Sequence, residues 1–414
     1  MPSAHSIQLP PYRLLGQVDL PCSKSVSNRL LVMEALAGRI LHKGELSVAR
    51  DTQVLQRALA LRDTTIDAAD AGTALRFLTA YFSTRAGKVL LTGTERMQHR
   101  PIGPLVDALR SLGAKIEYVG ETGFPPLRID GQALCGGAVE VEVSVSSQFV
   151  SALLLVAPYW KQGLTLFLRD VITSKPYIDL TLSLMTQCGV EAKWLDERTL
   201  RVEPGEYQSD NPIVVEPSWT AASYWYEALV AGTFGRACLC LPGLQARSVQ
   251  GDAVVQSIFS DFGIRTTFAD DGATLWSGET TQEVFQYDFR NCPDLVPTLV
   301  ATCLACKKPF RMSGLHNLRF KESDRVGALQ HIATLFGARL EAPEEGVLTF
   351  DGVRALQPEG TRVQPLLIPV YDDHRLALAF APFLLGGWKI KFDNPSVVRK
   401  SYPHFWDQLL PLCP

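Results

Sequence analysis

LRSLGAKIEY (residues 109–118), LMTQCGVEAKW (184–194), IFSDFGIRTTF (258–268) and IATLFGARLEA (332–342) share one pattern: an amphipathic helix, a glycine, then a short alternating strand. Their glycines, Gly113, Gly189, Gly263 and Gly337, stand 76, 74 and 74 residues apart. Glycine at a helix end is structural, because it takes the left-handed conformation there without steric cost. The even spacing is what marks an internal repeat. A second series alternates with the first, an apolar helix passing through a small loop into a strand: MEALAGRILHKGEL (33–46), YFSTRAGKVLLTG (81–93), APYWKQGLTLFL (157–168), VAGTFGRACLCLPG (230–243), CLACKKPFRMSG (303–314) and PFLLGGWKIKF (382–392). With the helices VLQRALALRD (54–63) and YPHFWDQLLPLC (402–413) added to the first series, each series numbers six. Six modules of two helices and several short strands then fill an α/β chain.

The 414 residues exceed what one hydrophobic core usually organises, so two lobes of three modules are expected, with the chain crossing between them near Pro21 and Pro217. This puts 1–21 and 218–414 in one domain and 22–217 in the other, with a cleft between. Hydrophobic residues make up 46% and charged residues 20%, an ordinary globular composition. A formal net charge of -3 provides no global field for nucleic acid or membrane, so any anion site must be local. The amino-terminal stretch MPSAHSIQLPPYRLLG has no signal-peptide core and no apolar run approaches a membrane span, so a cytoplasmic protein is expected. Nine scattered cysteines read as reduced thiols, and the C-x-x-C of Cys303 and Cys306 reads as helix packing, not a zinc site.

Chemistry-bearing residues gather ahead of helices. Lys24, Ser25 and Arg29 open an apolar helical run; they are either a plain cap with solvated charges or an anion site at a helix amino terminus. Gly72 precedes another helix, where a ligand could approach the backbone, and Arg96, His99 and Arg100 precede Pro101. Ser146, Ser147 and Gln148 stand at a strand-to-helix junction, and Ser174, Lys175 and Tyr177 at another. Asp294 either caps a helix or is a base exposed at the cleft. Asn317, Lys321, Glu322 and Arg325 begin a helix, on which Lys321 and Arg325, four apart, would share a face. His374 and Arg375 border an apolar helix, with Arg399 and Lys400 before the last one. Pooled, these segments predict a cleft lined by helix amino termini and able to hold small polyanions.

Nine of these segments, in order, resemble the signatures of the 5-enolpyruvylshikimate-3-phosphate synthase family: LPCSKSVSNR (20–29), DAGTALR (70–76), ERMQHRPIG (95–103), SSQF (146–149), SKPYIDLT (174–181), PDLVPTL (293–299), NLRFKESDR (317–325), DDHR (372–375) and RKSYPHF (399–405). The resemblance implies an inside-out α/β barrel fold of two domains, each of three β-α-β-α-β-β modules. It also implies transfer of the enolpyruvyl group of phosphoenolpyruvate to the 5-hydroxyl of shikimate 3-phosphate, with no metal or organic cofactor. It places Lys24, Gly72, Arg100, Gln148, Arg325, Arg375 and Lys400 around phosphoenolpyruvate. Ser25, Arg29, Ser146, Ser147, Gln148, Ser174, Tyr177, Asp294, Asn317 and Lys321 fall around shikimate 3-phosphate. Asp294 would be the base on the hydroxyl, while Glu322 with Lys24 would handle the methylene proton. The partners expected are these two small molecules only, and a monomer. Asp70 and Asp372 stand where the family commonly has Asn, and Ser218 where it often has an acid. Two other readings share the features: a UDP-N-acetylglucosamine enolpyruvyl transferase, set against by KSVSNR, and a non-catalytic two-lobed anion-binding protein.

Overall fold

The computed structural model describes residues 13–61, 64–144, 146–280, 283–356 and 364–413. Residues 1–12, assigned above to the first domain, and the last two of the 54–63 helix lie outside the described residues.

Six sheets are present among the described residues, one for each expected module. In one, Gly137–Glu142 pairs parallel with Leu164–Arg169, then Thr199–Val202 and Ala192–Trp194 add antiparallel. Three further four-stranded sheets repeat this order. The strand after each spaced glycine, Lys115–Tyr118, Ala192–Trp194, Arg265–Ala269 or Ala338–Glu341, forms the outer edge. Those glycines have φ of 97°, 78°, 78° and 69°, left-handed values that a side chain would strain.

Two modules are shorter than the expected pattern. Among the described residues, Ile213–Val214 pairs only with His42–Lys43, and Leu366–Ile368 only with Ile390–Phe392. For the first, the reason lies in the sequence that follows its second helix: no glycine and alternating strand of the outer-hairpin kind stand between Arg50–Ala60 and Thr65–Asp67, the first strand of the next sheet.

Each module also supplies one helix that is apolar nearly all round, and such helices must be buried. Lys24–Ala37, Gly72–Ser83 and Ser147–Val156 pack on one another; so do Trp219–Ala231, Val296–Cys306 and His374–Phe380. Around the first trio lies one hydrophobic core, running from Val26 to Val215. Around the second lies another, made of Val18 and residues from Trp219 to Leu409. The chain passes between the cores at two adjacent places, where Ser23 N donates to Glu216 O at 2.8 Å and Ser218 N to Pro21 O at 2.9 Å. Cys303 is fully buried within its helix and Cys306 ends it.

Candidate active site

The amino termini of the buried helices and of their neighbours converge on one cavity of about 80 Å³. From the first core's side it is lined by Lys24, Ser25, Arg29, Asp51, Gly72, Thr73, Arg100, Ser146, Ser147, Gln148, Ser174 and Tyr177. Asp294, Asn317, Lys321, Glu322, Arg325, His374 and Arg375 line it from the other. Local sequence explains the convergence: Ser23, Ser146, Asp324 and Asp373 each cap a helix by accepting a backbone N–H two or three residues on, which fixes the following side chains at the cavity rim.

Arg325 is the hub of the charge network. Its Nε donates to Asp373 Oδ2 at 2.8 Å, Nη1 to Asp294 Oδ1 at 3.0 Å and Nη2 to Glu322 Oε2 at 2.8 Å, with only 1% of the side chain exposed. Burying one guanidinium costs several kcal/mol unless its donors are met, and here three carboxylates meet them. Asp294 also accepts from Arg375 Nη2 at 2.6 Å and Tyr177 OH at 3.2 Å, with Lys321 Nζ at 3.6 Å. Burial alone would raise the Asp294 carboxyl, but Arg375, Lys321 and Arg325 outweigh it and hold it well below the usual carboxylate range. Glu322 is depressed in the same way, its burial overcome chiefly by Arg100 and Arg325. Burial, with Lys24 and Arg375 adding to it, pushes His374 well below the ordinary histidine range and keeps it neutral.

Arg29 differs from these cations, for it has no carboxylate. Nε donates to Thr181 Oγ1 at 2.7 Å, Nη1 to Ser25 O at 2.9 Å, and Nη2 to Ser151 Oγ and Tyr177 O, both at 3.0 Å. Burial without a counter-ion lowers it to about 10. Lys24 Nζ donates to Asp51 Oδ2 at 2.8 Å. Gly72 leaves room for Arg100: a Cβ there would lie 2.4 Å from Arg100 Nη1. Six cations and three carboxylates line the cavity, a surplus of three positive charges that Asp373, behind Arg325, reduces to two. A chain of net charge -3 thus holds a concentrated local field for anions.

Every residue that the resemblance places at the site lines this cavity except Lys400, which lines an adjoining one with Arg100 and Glu322; of the other candidates, Arg96 and Arg399 line that adjoining cavity, whereas His99 and Lys175 line neither. One local expectation fails. Lys321 is not on the helix face of Arg325, because the helix begins at Arg325 and Lys321 is extended, with φ -81° and ψ -159°. The two cations still meet, at Asp294. Sequence reasoning did not single out Asp51, Thr73 or the counter-ion role of Asp373. It also missed Asp252, in a 40 Å³ extension shared with Tyr177, Lys24 and Arg375. Asp252 accepts from the Thr220 hydroxyl, its Oδ1 has no partner, and burial, with Asp294 adding to it, raises it to about 6. Ser218 lines the same extension and caps its helix by accepting from Ala221 N at 3.2 Å. Asp372 accepts from Asn394 Nδ2 at 3.1 Å on the surface.

Carboxylates interleaved with cations at converging helix amino termini define a site for small polyanions with acid and base groups within reach of them. The same fold occurs in the solved EPSP synthase of Acinetobacter baumannii, which matches with a TM-score of 0.72 over 98% of this chain and 97% of that one, at 18% identity. Sequence narrows the relationship. The 3-phosphoshikimate 1-carboxyvinyltransferase of Bacteroides fragilis (strain YCH46) is 43% identical over 399 residues, covering 96% of this chain and 95% of the relative. That of Sulfurovum sp. (strain NBC37-1) is 33% identical, covering 98% of each. The family model of EPSP synthase (3-phosphoshikimate 1-carboxyvinyltransferase) matches residues 38–409, and the chain belongs to that family.

Proposed function

We propose that the protein transfers the enolpyruvyl group of phosphoenolpyruvate to the 5-hydroxyl of shikimate 3-phosphate and releases inorganic phosphate. The observation that carries this reading is the surplus of cations in one enclosed cavity, drawn from both sides of the cleft and set against ionised Asp294 and Glu322. Residues 22–217 form one domain, and 1–21 with 218–414 the other, with the site between them. Arg29 and Ser25 take the carboxylate of shikimate 3-phosphate; Ser146, Ser147 and Ser174 take its phosphate, with Gln148, Tyr177, Asn317 and Lys321 completing the pocket. Lys24, Gly72, Arg100, Gln148 and Lys400 surround phosphoenolpyruvate, and Arg325 and Arg375 hold its carboxylate. The protein works as a cytoplasmic monomer.

The charge network suggests how the base is timed. Arg325 and Arg375 both donate to Asp294. A donor carboxylate on those two guanidiniums takes over part of their charge, so the proton affinity of Asp294 rises when the donor is in place. Asp294 then accepts the proton of the 5-hydroxyl as its oxygen bonds to the C2 carbon, and the C3 carbon takes a proton from the Lys24 ammonium. The Glu322 carboxylate then takes a C3 proton from the tetrahedral adduct, and the double bond re-forms as phosphate leaves. Purified protein is expected to release phosphate only when both substrates are present. No release with that pair, or release with UDP-N-acetylglucosamine as acceptor, overturns the reading.

A further inference from the structure

Beyond Arg100 and Glu322 the cavity adjoins a larger one of about 650 Å³, which these two residues also line. Asp70 and Lys400 line only the larger one, and they bridge the two cores. Asp70 precedes the helix Gly72–Ser83, whereas Lys400 ends the turn Pro395–Lys400. Lys400 Nζ donates to the backbone carbonyl of Asp70 at 2.7 Å and to its Oδ2 at 2.9 Å. The lysine side chain is 3% exposed and the aspartate 31%, and the second Asp70 oxygen has no partner. Two of three ammonium N–H groups are thus held by a residue of the opposite lobe, one of them by a full negative charge.

We propose that Asp70 is a specificity-determining residue of the donor subsite, an anion built into the chain that competes with phosphoenolpyruvate for Lys400. The proposal rests on the functional reading above, which puts Lys400 among the donor contacts. A donor anion that reaches Lys400 meets an ammonium already neutralised by a carboxylate, and it also meets the repulsion of that carboxylate. The Coulomb energy of each contact depends on charge, so the residue at 70 sets donor affinity without touching the reacting carbons. The backbone carbonyl bond explains why the charge can be removed cleanly: Lys400 keeps one anchor on residue 70 whatever its side chain.

Steady-state kinetics and calorimetric titration with inorganic phosphate test this on the full chain. In Asp70→Asn the KM for phosphoenolpyruvate is expected to fall about fivefold, the upper range for a partly exposed ion pair. The kcat and the KM for shikimate 3-phosphate stay within about twofold. Inorganic phosphate binds correspondingly tighter. Asp70→Glu, which keeps the charge, stays near the parent, whereas a merely structural role would make the longer side chain the worse variant. Thermal unfolding checks the fold, and Asp70→Ser, which also removes the charge, is read in the same way if the Asn variant does not fold. An unchanged or higher donor KM in the neutral variant overturns the proposal. If the parent itself turns over neither substrate, the functional reading fails, and the phosphate titration still decides this one: equal affinity in parent and Asn variant overturns it, tighter binding supports it.

Discussion

On the 22–217 side the cleft presents Ser146, Ser147, Gln148, Ser174 and Arg29, donors with a single acid, Asp51, among them; on the other side Asp294, Glu322 and Asp373 interleave with Lys321, Arg325 and Arg375. Both faces are built from the same module, yet Arg29 binds only hydroxyls and carbonyls while Arg325 binds three carboxylates. The first arrangement suits a fixed anion that undergoes no chemistry. The second displaces carboxyl pKa values strongly, as acid and base groups at a working site do. On the proposed reading, fixed anion binding by hydroxyls and Arg29 belongs to one face and the base Asp294 to the other.

Asp294→Asn tests that division most severely. It keeps the shape and removes the proposed base, so kcat is expected to drop about 100- to 10,000-fold, with a much smaller change in the KM for shikimate 3-phosphate. Equal losses in both constants would dissolve the distinction between the faces. The next largest effect is on folding. Arg325→Met strands three buried carboxylates, and urea denaturation is expected to show a loss of about 3–5 kcal/mol. Arg29→Met leaves no stranded charge and is expected to cost about 1 kcal/mol while raising the KM for shikimate 3-phosphate. Similar stability losses in the two variants would mean that the faces do not differ in the way their contacts indicate.

Asp252 is the acid on the second face that lacks a cation, and it gives a smaller, pH-dependent effect. Its folded value of about 6 lies above the ordinary carboxyl value, so the folded state binds the proton more tightly than the unfolded chain. Stability therefore falls as pH rises from about 4 to 6, and the penalty is complete above that. Asp252→Asn should remove it, gaining about 3 kcal/mol over the parent at pH 8 and little at pH 4, as read from paired denaturation curves. A variant less stable than the parent at both pH values would show that the carboxylate is held by contacts instead of being strained.

What the sequence revealed follows the range of the interactions concerned. The spaced glycines announced the modules because a left-handed residue is a local demand. Lys24, Gly72, Ser147 and Arg375 stood out because a helix amino terminus is also local, and all four line the cavity. Counter-ions were not: Asp51 meets Lys24 across 27 residues and Asp373 meets Arg325 across 48, and neither sits in a segment whose pattern differs from ordinary capping. Lys321 was misplaced because i,i+4 spacing presumes a helix that Asp324 starts only one residue before Arg325. Asp252 gave no signal, since its environment is made by Thr220, Tyr224 and Tyr177 from distant elements.

Gly72→Ala poses the sharpest geometric question. The added Cβ would meet Arg100 Nη1 at 2.4 Å and its Cζ at 2.8 Å, contacts that real methyl groups do not make. The clashing atoms are the far end of a long side chain, so Arg100 swings aside at low cost and the fold survives. The guanidinium then leaves both Glu322, now 3.7 Å away, and the donor pocket. With Arg100 on phosphoenolpyruvate as proposed, losing that charged contact predicts a rise in its KM of about tenfold, with the KM for shikimate 3-phosphate nearly unchanged, since the three atoms nearest the added methyl all belong to Arg100. Initial-rate measurements with each substrate varied separate the two. An unchanged donor KM would place Arg100 outside the donor pocket, whereas a raised acceptor KM would mean that Arg100, on the same face as Arg29 and the serines, serves the acceptor as well.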